Sequence, residues 1–99
     1  MPTYLVTFKL APNATVGERH DSLIGQFDGN EWWAETGSTI VVNDEADLDD
    51  FCERLFNRSK LDARTDMAVV FDLETHDARA RGSFVDYGLF HIAPWVEKV

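Results

Sequence analysis

The sequence predicts an α+β two-layer sandwich, on three observations. Four segments alternate apolar and polar residues with the period of a strand, and two others repeat apolar residues with the period of a helix. Their order along the chain is strand, helix, strand, strand, helix, strand. Such a chain closes as one antiparallel sheet carrying both helices on one face.

The first strand spans residues 3–10, with Tyr4, Val6, Phe8 and Leu10 on one face and Thr3, Leu5, Thr7 and Lys9 on the other. A helix follows, in which Val16, His20, Leu23, Ile24 and Phe27 form the apolar stripe. Thr15 and Glu18 stand at capping-box spacing before it, and Gly29 suits a left-handed position after it. Residues 31–36 and 38–43 read as two short strands turning around Gly37.

The second helix carries Leu48, Phe51, Cys52, Leu55 and Phe56 on its buried side. Asn43 or Asp44 is its expected cap. The carboxylates that follow oppose the positive end of its dipole, and Arg54, Arg58 and Lys60 oppose the negative end. A strand over 67–74 sets Met67, Val69, Phe71 and Leu73 against Ala68, Val70, Asp72 and Glu74. Residues 11–14 and 59–66 read as loops. The result is a ferredoxin-like βαββαβ arrangement with an antiparallel sheet, one domain over residues 1–99. Its core lies at about 3–74, and residues 75–99 form a C-terminal tail or a fifth strand that starts near Phe84, Val85 and Tyr87.

Composition bounds the function. Eighteen acidic residues against nine basic ones leave a net charge of −9 in 99 residues. Nucleic-acid affinity comes mostly from lysine and arginine neutralising phosphates, so the charge argues against a general nucleic-acid surface. No apolar run approaches the ~20 residues of a membrane span, and no basic region precedes an apolar one at the start, so neither a span nor a secretory leader is expected. Cys52 is the single cysteine, which excludes an intrachain disulfide and fits a cytoplasmic setting.

Trp32 and Trp33 are adjacent, so their side chains point to opposite faces of a strand. Trp32 is assigned to the helix-covered core and Trp33 to the open face. Leu5, Lys9, Trp33, Val70 and Asp72 together make the candidate ligand or dimer face, with Asp72 partnering Lys9. An apolar, uncovered sheet face of this kind commonly marks an interface, here with a second copy, a protein partner or a small ligand. The alternative is that the C-terminal tail folds over Trp33. Arg79 and Arg81 form the one compact basic spot and a candidate anion-binding loop. His20, His76 and His91 are scattered, and no nucleophile, phosphate-loop or dinucleotide pattern occurs. No catalytic residue, metal or cofactor is expected.

The run Tyr4-Leu5-Val6-Thr7-Phe8-Lys9-Leu10, then Trp32-Trp33, then Ser38-Thr39 and an apolar strand, resembles small bacterial ferredoxin-like proteins. These are related to the CRISPR-associated metal-dependent nuclease that serves as the dimeric subunit of the spacer-integration complex. The resemblance covers residues 3–74 and implies a homodimer. Nuclease members of that family carry an aspartate at the end of the first strand, proposed to bind Mg²⁺ near the dimer axis. Phe8-Lys9 occupies that place here. An ammonium has no lone pair to offer a cation, so the metal site is missing at that position. The expectation is a non-catalytic homodimeric domain. The alternatives are a divergent metal-dependent ribonuclease using Asp72 or Glu74, and a small-molecule sensor.

Overall fold

The computed structural model describes residues 1–99 and contains six strands and three helices. In chain order they are β1 (Thr3–Lys9), α1 (Val16–Gly25), β2 (Trp32–Trp33), β3 (Thr39–Asn43), α2 (Leu48–Glu53), β4 (Met67–Asp72), β5 (Ala78–Gly82), α3 (Gly88–Ile92) and β6 (Val96–Lys98). A wider π-helical stretch, Arg54–Arg58, continues α2. All strands join one sheet in the order β2-β3-β1-β4-β5-β6. Every neighbouring pair is antiparallel except β5 and β6, which are parallel.

This mixed six-stranded sheet replaces the ferredoxin-like βαββαβ sandwich and its wholly antiparallel sheet. The difference arises in residues 75–99. The segment Ala-Arg-Ala-Arg-Gly at 78–82 has no large apolar residue and reads as a loop, yet Ala78 and Ala80 are fully buried within a strand. Residues 84–87, expected to begin a fifth strand, are irregular and lead into α3. A parallel pair requires a crossover, and α3 supplies it between β5 and β6.

Helices consequently cover both faces of the sheet. On the first face, α1 and α2 bury Tyr4, Val6, Phe8, Ile40, Val42, Ala68 and Val70 beneath Leu23, Phe27, Phe51 and Leu55. Tyr4 stacks on Phe51 with ring centres 4.3 Å apart, and its hydroxyl donates to the Ala46 carbonyl at 2.6 Å. On the second face, Val69, Ala78, Ala80, Ala93 and Val96 form a smaller core closed by Phe71, Phe84, Leu89 and Phe90. The tail therefore docks on β4–β6 and not over Trp33. The alternation expected for β4 is present, but its middle is buried on both sides.

Local devices differ from the expected ones in two places. Thr15 makes no side-chain cap on α1; its hydroxyl instead accepts from Arg19 Nε at 3.1 Å. Asp47, not Asn43 or Asp44, caps α2 by accepting from the Asp50 amide at 2.9 Å. Gly29 does take the left-handed conformation, with φ of 84°. No helix is long and apolar enough to cross a membrane.

Candidate functional site

Antiparallel register determines which residues share the second face. Trp33 pairs with Val41, Val41 with Leu5, and Leu5 with Phe71. The four side chains form a row across β2, β3, β1 and β4, about 14 Å long at ~4.8 Å per strand. Phe71 packs into the small core under α3, which leaves Trp33, Val41 and Leu5 as a floor beside the helix. Thr3, Thr7, Thr39 and Asn43 flank the row, and the Thr3 hydroxyl donates to Asn43 Oδ1 at 2.9 Å. The row itself carries no charge, and Glu31, opposite Asn43 on β3, borders it beside Trp33. Trp33, on the edge strand, is 49% exposed. The apolar side chains of Ile92 and Trp95, on and just after α3, are exposed as well.

Trp32 does not enter the core. It pairs with Val42 on the first face but lies at the sheet edge, beyond the helices, and is 45% exposed. The half-buried Ala34 packs against the core after it.

The expected five-residue face divides. Leu5 and Trp33 share the second face, with Lys9 at the far end of β1. Val70 is fully buried on the opposite face, paired across from Val6. Asp72 is across from Tyr4 on that same face, and Lys9 faces Met67 at the other end of the ladder, roughly 17 Å from Asp72 at strand rise. Their pairing is excluded by strand direction. The Asp72 carboxylate instead accepts from the Glu74 and Thr75 amides at 2.9 and 3.3 Å and closes the β4–β5 turn.

Arg79 and Arg81 belong to β5, not to a loop, and point toward α2. Arg79 Nε lies 3.1 Å from Asp49 and 3.4 Å from Glu97, so two carboxylates already hold this guanidinium. Arg81 donates to Asn57 Oδ1 at 2.8 Å. The expected anion site is thus a set of ties between β5, α2 and β6. Cys52 lies beside them, and burial pushes its thiol up to about 12 despite the nearby Arg79 charge, which keeps it neutral.

Two ion pairs escaped the sequence reading. Arg19 and Asp66 pair in the interior, their side chains 6% and 1% exposed. Asp66 also accepts from the Ala11 and Asp62 amides, and Arg19 donates to the Ala11 carbonyl and to Asn13. Burial raises the Asp66 carboxyl, but these amides and the guanidinium outweigh it and hold it below the usual carboxylate range. Asp44 pairs with Arg54 and accepts from Asn30 and the Ala46 amide, with the same outcome. Arg19 was legible in principle, since it lies three residues after Val16 and four before Leu23, on the buried stripe. Nothing local marks Asp66.

No three side chains among His, Cys, Asp and Glu gather at metal-binding distance. Fold and face together define a class: a small acidic α+β protein with a mixed sheet, helices on both faces and an uncovered apolar half-face. No protein-family profile, curated protein or solved structure matches the chain. The resemblance to the CRISPR-associated family rests on the residues quoted for it.

Proposed function

We propose that this chain is a non-catalytic association module that pairs with a second copy of itself through the helix-free half of its second sheet face. The observation that carries this reading is the row Leu5, Val41 and Trp33, apolar, uncharged and uncovered, in a chain of net charge −9. The centre of this row is uncharged, so two copies can meet there with Glu31 left at the rim. Burying the exposed half of Trp33, roughly 120 Å², contributes about 3 kcal/mol per protomer at ~25 cal/mol per Å². A self-complementary patch on both copies is the common form of a twofold dimer.

The ribonuclease alternative has less support, because the Asp72 carboxylate is engaged in its turn and Asp72 belongs to no group of three or more metal-ligating side chains. Light scattering coupled to size exclusion tests the dimer, with an expected mass of twice 11.3 kDa. Trp33→Glu gives a folded monomer, whereas Trp32→Glu, on the opposite face, leaves the dimer intact. A wild-type monomer throughout the micromolar range, or equal effects of the two substitutions, overturns the reading.

A further inference from the structure

The strands of the helix-free half of the second face bring two charged side chains to it, Glu31 and Lys9. The rest is the apolar row with three threonines and an asparagine around it. Both charged residues are exposed. Of the nine basic side chains, six lie against carboxylates, Arg81 donates to Asn57 and Lys98 sits over the rings of Phe84 and Tyr87. Lys9 is the one left without a partner in its own chain, and no basic group meets the Glu31 carboxylate. Acids outnumber bases two to one over the chain, so a patch holding one of each departs from the rest of the surface.

The register sets these charges at opposite corners of the patch. Glu31 is level with Asn43, and Asn43 with Thr3 at the start of β1. Lys9 stands at the other end of β1, so the two are about 20 Å apart along the strands and ~10 Å across them. Midway between them is β3, between Thr39 and Val41. At the acidic corner a hollow of about 210 Å³ lies beside Glu31 and Trp33, with Val41 and Asn43 facing the same way. A carboxylate next to an indole ring holds an ammonium both by charge and by the ring's quadrupole.

We propose that Lys9 of each copy enters the Glu31–Trp33 hollow of the other, so that two equivalent cation contacts bracket the apolar row. This inference rests on the self-association reading and adds to it the register in which the copies meet. A twofold interface is reciprocal: where one residue touches a second on the partner, the second touches the first in return. An acid and a base at opposite corners of one patch therefore satisfy each other twice when the axis crosses β3 midway between them. Two chains of net charge −9 repel at a distance, and in this register the charges on the meeting faces attract.

The experiment compares the dimer dissociation constant, from sedimentation equilibrium of the intact chain, for wild type, Lys9→Glu, Glu31→Lys and the double exchange. Each single exchange opposes like charges twice and is expected to weaken the dimer roughly ten-fold or more. The double exchange restores it to within about three-fold of wild type. Glu31→Lys separates this contact from general repulsion, because it makes the chain less acidic and yet weakens the dimer. Both positions are exposed, so the circular dichroism of every variant should match wild type. If the dimer persists but Glu31→Lys does not weaken it, or the double exchange is no tighter than the single ones, the Lys9 contact is overturned while the Trp33 face stands as the interface. A wild-type monomer throughout the micromolar range overturns both.

Discussion

Asp66 shows how much one side chain can organise. It lies in the loop before β4, yet its carboxylate is held by Arg19 of α1 and by the amides of Ala11 and Asp62. Its carbonyl accepts from the Ser83 amide after β5. The start of the loop before α1, α1 itself and the end of β5 are thereby all tied to this one residue. Asp66→Asn strips the counter-charge from Arg19 with little change of shape, and the expected cost is roughly 3–5 kcal/mol, the usual penalty for leaving half of a buried pair. Urea denaturation at neutral pH measures it. The pH dependence has a definite sign. The folded carboxyl lies below its ordinary value of 3.8, so its stabilisation is complete above that value and is lost as pH falls through the folded pKa. The gap between wild type and Asp66→Asn should accordingly narrow on acidification below about 3.8 and be constant above it. Asp44, lowered in the same direction by Arg54, adds to the acid sensitivity of the wild type.

The elements meet at close quarters where β5 ends. Gly82 has φ of 126°, and a Cβ there would come within 2.1 Å of the Asp66 carbonyl oxygen and 2.6 Å of Met67 Cα. Both contacts are backbone, so no rotamer change relieves them. Gly82→Ala is expected to cost more than the roughly 1 kcal/mol of an unfavourable backbone conformation alone. Thermal unfolding of this variant measures the loss, with Gly25→Ala as a contrast. Gly25 lies in α1 with open space around it, where alanine should stabilise by about 1 kcal/mol. Opposite signs from the same chemical change would locate the constraint in the β4–β5 junction. A loss at both positions would contradict it.

Over the whole molecule, stability divides unequally between the two faces. Fourteen buried residues make the first core and five the second, so the first dominates the folding energy. β6 is three residues long, parallel and at the sheet edge, the least supported position available to a strand. Val96→Ala should cost roughly 2 kcal/mol by the usual measure of a truncated core side chain. It should also release α3 and β6 before the rest. Native-state hydrogen exchange would then show the Ala93, Val96 and Val99 amides, bonded to Leu89, Ala93 and Ala80, opening well below the global free energy. Uniform protection across the molecule would show instead that both cores unfold as one.

Alternation and helical periodicity were enough to place β1, β4, α1 and the buried side of α2, because each of these depends on residues near one another in sequence. The same local patterns identified Gly29 as a left-handed stop and separated Trp32 from Trp33 by face. They could not say which face of β4 meets the helices. That follows from pairing Val6 with Val70, a contact between strands more than sixty residues apart in the chain. Nor could they recognise β5, whose alanines are buried only because α3 lies on them, or Asp66, whose partners all come from elsewhere. In this protein the chain alone determines the elements with a strong period and a single covered face. Tertiary structure decides the strand order, the second core, the ion pairs and the width of the uncovered floor, because those depend on surfaces that exist only once distant segments have packed.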